Sequence, residues 1–160
     1  MFILKNKLNF IIVIALLSSC SSMNVTEERV YSVDVKTGVV NWINNLNSNI
    51  TPIITGNLIF TISNDGYLYV IEKNKGNILR ITDLFNNYKT KKRKDIQPVG
   101  FVIGNTNLYL TNSDGKIIIA DLSEGKVLNI EKVSGDIVSE PFIFNNNLYV
   151  VRNGSIVQYN

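Results

Sequence analysis

Apolar and polar positions after residue 28 come in short bursts punctuated by glycine. Tyr67-Leu68-Tyr69-Val70-Ile71 and Lys116-Ile117-Ile118-Ile119-Ala120 are runs rich in β-branched and aromatic residues, each bounded by turn residues. That pattern predicts strands rather than helical turns. Asn64-Asp65-Gly66, Ser113-Asp114-Gly115 and Arg152-Asn153-Gly154 stand immediately ahead of such runs. Asp-Gly and Asn-Gly accept the positive φ of a tight hairpin, so each closes an antiparallel pair. A second turn follows at Lys73-Asn74-Lys75-Gly76, matched by Val35-Lys36-Thr37-Gly38 and Leu122-Ser123-Glu124-Gly125.

These bursts repeat. The clearest copies run from Gly66 to Gly76 and from Gly115 to Gly125; an earlier one, Glu28 to Gly38, lacks the leading glycine, and a shorter one starts at Gly154. The starts lie 38, 49 and 39 residues apart, and the longest interval holds a basic insertion near Tyr88 to Asp95. Periods of this size mark stacked supersecondary units. The three prolines, Pro52, Pro98 and Pro141, each precede a matching strand that begins Asn-Leu, at Asn57, Asn107 and Asn147. Proline cannot donate to a ladder, so it suits the start of a strand or an edge. One unit is therefore four short antiparallel strands, which is a propeller blade. The predicted layout is two strands near 29–45, full blades near 50–84 and 98–132, and three strands near 140–159. The expected fold is all-β, a partial β-propeller of about three and a half repeats.

Val30-Tyr31-Ser32-Val33-Asp34, followed by Gly38 and by Trp42 four residues later, resembles the repeat of the pyrroloquinoline quinone (PQQ) enzymes. In that family the tryptophan helps dock one blade on its neighbour. Arg80 and Asn129 stand at the tryptophan position of the next two copies, so the resemblance implies that those two contacts are made differently here. The resemblance covers residues 29–160 and speaks to fold more than to function.

Residues 1–19 are of another kind. Lys5 and Lys7 precede an apolar run from Leu8 to Leu17, too short to span a bilayer but suited to a signal peptide. Leu17-Ser18-Ser19-Cys20 resembles the bacterial lipobox, in which the cysteine becomes the lipidated first residue. A buried cysteine after a short hydrophobic helix is the alternative. Ser21 after the cysteine resembles outer-membrane sorting in a Gram-negative bacterium, facing the periplasm. Residues 20–28 then read as a lipidated tether.

Charge adds little to this picture. With Lys5 and Lys7 removed, the formal charge falls from +3 to +1, which gives no reason to expect nucleic acid. One cysteine forms no internal disulfide. The strongest charge feature is Lys89-Thr90-Lys91-Lys92-Arg93-Lys94. Five cations in six residues repel one another, so the expectation is a solvated, mobile loop. Lys89, Lys91, Lys92, Arg93 and Lys94 are also the candidate contacts to an acidic partner surface or to anionic lipid headgroups.

Chemistry is poorly represented. The chain has no histidine, the commonest general base and metal ligand. Asp34, Glu72 and Asp121 recur four residues before Gly38, Gly76 and Gly125, as turn carboxylates accepting nearby backbone N–H groups would. Asp65 and Asp114 read as hairpin residues. Gly66, Gly115 and Gly154 serve the hairpins, and Gly38, Gly76 and Gly125 the second turns. No catalytic, metal or cofactor site is expected, and the chain reads as a non-enzyme.

A lipobox, a short tether and these repeats without cofactor residues resemble the BamB-type lipoproteins of the outer-membrane β-barrel assembly machinery. That resemblance implies a periplasmic scaffold that binds a barrel-assembly subunit. The competing readings are a periplasmic ligand-binding or quinoprotein-like domain and a truncated propeller fragment without independent function. An open arc exposes apolar faces and strand edges, so self-association is also expected.

Overall fold

The computed structural model describes residues 29–135 and 138–159. Cys20, the signal segment and residues 20–28 of the tether lie outside them. Among the described residues, β1 (Val30–Val33) and β2 (Val40–Asn44) make a two-stranded sheet. β3 (Ile53–Thr55), β4 (Leu58–Ile62), β5 (Tyr67–Glu72) and β6 (Ile78–Asp83) make a four-stranded one. A short helix, α1 (Thr90–Arg93), precedes the second four-stranded sheet: β7 (Pro98–Ile103), β8 (Asn107–Asn112), β9 (Lys116–Asp121) and β10 (Val127–Lys132). β11 (Phe142–Phe144), β12 (Asn147–Arg152) and β13 (Ser155–Tyr159) close the chain as a three-stranded sheet. The strand boundaries follow the layout that the repeat predicts. The terminal sheets remain separate and do not complete each other.

Each sheet is an antiparallel meander, because the turns between strands are too short for anything else. Gly66, Gly115 and Gly154 take φ of 82°, 72° and 74°, the left-handed conformation that the hairpins require. The β11–β12 hairpin reaches the same conformation through Asn145 and Asn146, at φ 49° and 62°. A register shift recurs in three sheets: at Ser32/Val33, at Val70/Ile71 and where β10 pairs with β9. In each the extra residue, Asn41, Leu79 or Leu128, lies on the strand that leaves the second glycine turn, where it adds local twist.

Successive sheets stack face to face. Phe60, Ile62, Leu68 and Val70 on one face of β4–β5 share a buried cluster with Phe101, Leu108, Leu110 and Ile118 of the next sheet. Ile59 and Ile71, on the opposite face, pack with Trp42 and Leu46. Ile117 and Tyr109 pack with Leu148 and Val150 of the last sheet. A sheet covered on both sides has no polar face to keep, which explains the unbroken Ile117-Ile118-Ile119 run. Shortening a fully buried side chain such as Leu68 or Leu110 costs about 2–5 kcal/mol in such cores.

Candidate functional site: the interblade joints and turn rim

At the joints between blades, side chains of one sheet donate to backbone carbonyls of a neighbouring blade. Trp42 on β2 lies with its ring against Gly76, where an added Cβ would stand 2.6 Å from the indole. Its Nε1 donates to the Lys73 carbonyl at 2.8 Å, and Asn44 Nδ2 donates to the Gly76 carbonyl at 2.9 Å. Both contacts need Gly76 bare and its turn tight; Gly76 N donates to the Glu72 carbonyl at 2.8 Å. In the next blade Arg80 does the work of the missing tryptophan. Its Nη2 donates to the Leu122 carbonyl at 2.7 Å and its Nη1 to the Ser123 carbonyl. Asn129 makes no such bond: its amide meets Glu131 Oε1 at 2.9 Å and its oxygen accepts from the Ile130 amide. Arg152 Nη1, reaching back to the Val133 carbonyl, ties the last sheet to the one before.

The periodic acids build the turns beside those joints. Asp34 Oδ1 accepts from the amides of Lys36 and Thr37 at 2.9 and 2.8 Å, and the Thr37 hydroxyl adds a third bond. Asp121 Oδ1 accepts from Ser123 Oγ at 2.6 Å and the Glu124 amide at 2.7 Å. These donors favour the ionised form, so both carboxyls lie below the usual aspartate range, the Thr37 amide dominating at Asp34 and the Ser123 hydroxyl at Asp121. Glu72 accepts from Asn77 Nδ2 at 2.9 Å. Gly38, Gly76 and Gly125 hold φ of 72°, 72° and 76° at the ends of these turns.

The basic run departs from the solvated loop expected of it. Residues 90–93 coil into α1, and Arg93 turns inward. Its Nη1 meets Asp83 Oδ2 at 2.6 Å, its Nη2 donates to the Asp65 carbonyl at 3.2 Å, and its guanidinium lies 5.0 Å from the Tyr67 ring centroid. Lys92 reaches Asp114 Oδ2 at 3.8 Å. Lys89, Lys91, Lys92 and Lys94 are exposed, so of the five candidate contact cations these four face solvent. Arg93 ties the insertion to the preceding blade. A mutually repelling run can be pinned through one member when a carboxylate and an aromatic face stand in reach, and both come from the preceding blade.

Asp114 likewise exceeds a hairpin role. Its carboxylate is largely buried, with Lys116 Nζ at 2.9 Å, and that ammonium also lies over the Tyr88 ring. Burial, reinforced by the Asp114 charge, pushes the Tyr88 phenol up to about 12. The fully buried Asn112 amide adjoins this group in the chain.

Clefts open between the blades. One of about 380 Å³ has Leu58, Phe60 and Val70 on one wall, Leu122 and Ser123 on the other, and Arg80 among its lining. Another, about 360 Å³, lies between Asn105, Thr106 and Tyr109 of the second full blade and Ile143 and Leu148 of the last sheet. The first is walled mainly by apolar side chains; the second is more polar, with Asn105, Thr106, Asn107 and Asn146 beside Ile143 and Leu148. Among the described residues no group of three or more His, Cys, Asp or Glu side chains is placed to hold a metal ion.

A family model described as outer membrane protein assembly factor BamB matches residues 21–82, which include the Trp42–Lys73 joint. The structure superposes on BamB from Moraxella catarrhalis with a TM-score of 0.63 at 17% identity, covering 81% of this chain. The blades are PQQ-like and resemble those of BamB. The BamB-like chain spans 36% of the length of that protein. It also superposes on the computationally designed Ika4 protein (TM-score 0.62, 13% identity, covering 83% of this chain and 79% of that one). A third match is a quinohemoprotein alcohol dehydrogenase from Pseudomonas putida HK5 (TM-score 0.56, 15% identity, 73% of this chain and 20% of that one). At these identities the superpositions speak to the propeller fold alone. No curated protein matches the BamB-like chain in sequence.

What the sequence did not show at these joints is which groups Arg80 reaches. Set against the tryptophan repeat it reads only as a departure, and its register with Trp42, both four residues after a turn glycine, is the one signal that marks it.

Proposed function

We propose that this chain is a lipid-anchored periplasmic scaffold for outer-membrane β-barrel protein assembly, held to the membrane through Cys20 and presenting its interblade rim to a subunit of the assembly machinery. The observation that carries this reading is the match of the BamB family model to residues 21–82. The surface is compatible with it: an apolar cleft and a more polar one open between the blades, and lysines are exposed on the insertion. Rigid turns lower the ordering cost of binding. The test is a pull-down of the tagged, lipidated protein from gently solubilised envelopes. Recovery of the barrel-assembly core at moderate salt is the expected result; recovery of the bait alone would sink the proposal.

A second reading, a quinoprotein-like domain, draws on the superposition with the quinohemoprotein alcohol dehydrogenase. Bound calcium or a quinone absorbance band in the purified protein would favour it over the scaffold.

A further inference from the structure

We infer that this chain docks head to tail onto a second copy of itself, the free face of β11–β13 in one copy covering the free face of β1–β2 in the next. Every internal joint joins a forward face of one sheet to a backward face of the following one. In the second full blade the forward face is built on two cross-strand pairs, Val102 with Tyr109 and Thr111 with Ile117. Tyr109, Ile117 and Val102 pack against Leu148 and Val150 of the last sheet.

The last sheet repeats these pairs at the same register, as Phe142 with Tyr149 and Val151 with Ile156. Among the described residues nothing covers them: Phe142 is 44% exposed, Phe144 62% and Ile156 68%. The Phe142 and Tyr149 rings already stack, at 5.2 Å and 14°, forming a preset platform. At the other end of the chain, Tyr31 and Val33 stand 38 residues before Tyr69 and Ile71, which pack on the Trp42 cluster. Tyr31 pairs with Ile43, and the two are 51% and 48% exposed.

The described residues thus carry one uncovered face of each kind, forward on β11–β13 and backward on β1–β2. A second copy supplies the complementary face for both, as a continuation of the joints already present. None of Tyr31, Val33, Ile43, Phe142, Phe144, Tyr149, Val151 and Ile156 is charged, so covering them desolvates no ion. Two copies bring eight sheets together, within the four to eight blades at which propellers close. A head-to-tail contact forms a ring when its rotation closes, and two copies joined at both ends leave neither apolar face open.

The test uses full-length chains carrying either Val33→Cys or Ile156→Cys, each with its own tag, co-expressed and treated with a short bismaleimide in gently solubilised membranes. Chains with Cys20 alone set the background. The expected result is a mixed 33–156 adduct at least tenfold above the 33–33 and 156–156 adducts. A preference for 156–156 would overturn the head-to-tail arrangement, and adducts at background would overturn self-docking altogether. A second measurement reads the mass of the particle by light scattering. Ile156→Asp, at a position outside the buried clusters, should halve it with circular dichroism unchanged; a wild-type mass of one chain, or an adduct with a different protein at residue 156, overturns the inference.

Discussion

Arg80 Nη2 donates to the Leu122 carbonyl at 2.7 Å, three residues before Gly125. Trp42 Nε1 makes the same bond to Lys73, three residues before Gly76. A charged, planar donor thus substitutes for an indole at one joint of a repeat. The exchange is not free, because Arg80 Nε is buried without a hydrogen-bond partner.

Arg80→Ala removes two donors, to the part-buried Leu122 carbonyl and the exposed Ser123 carbonyl, and should lower stability by about 1–2 kcal/mol. Arg80→Trp restores the indole type of joint and should stay within about 1 kcal/mol of wild type. Urea unfolding midpoints decide this. An Arg80→Ala midpoint equal to wild type would mean the joint holds nothing.

Gly76→Ala and Gly38→Ala separate packing from backbone strain. Both place a Cβ at φ +72°, costing about 1–2 kcal/mol, but nothing lies within 4 Å of the Gly38 position. At Gly76 the new methyl meets the Trp42 ring, adding about 1–3 kcal/mol. Thermal melts should rank Gly76→Ala well below Gly38→Ala. Equal melts would show that Trp42 yields without cost.

The basic insertion divides by role. Lys91→Ser with Lys94→Ser should shift stability by less than about 0.5 kcal/mol, since both side chains are solvated. Arg93→Ser breaks the Asp83 pair and the Tyr67 contact, both partly exposed, and should cost about 1 kcal/mol. Indistinguishable melts for the two variants would return the whole run to a free loop.

Alkaline pH tests the buried Tyr88. Its folded pKa of about 12 lies above the ordinary 10.0, so the unfolded chain releases this proton first. The stability linked to Tyr88 is complete below pH 10 and is lost as pH rises from about 10 to about 12. Tyr88→Phe should abolish that part of the decline. Wild type and variant losing stability in parallel over this window would refute the assignment.

Membrane attachment tests the proposed lipid anchor. Cys20→Ala should move the protein from the membrane to the soluble fraction on fractionation. Equal retention of the variant would remove the lipid from the proposal.

The sequence by itself determined the blades: strand positions, the turns at Gly66, Gly76, Gly115 and Gly125, and the role of the periodic acids. All of these rest on residues a few positions apart, where φ preference, alternation and an acceptor side chain decide the conformation. Only the tertiary structure decided how the blades are joined. Trp42 and Lys73 are 31 residues apart and Arg80 and Leu122 42, so no local preference records either bond. The same reason hid Arg93, whose partners Asp83, Tyr67 and Asp65 belong to the preceding blade. It also left the uncovered faces of β1–β2 and β11–β13 for the stacked sheets to show. A strand's alternation tells that two faces exist, while what covers each face is settled only by how the sheets stack.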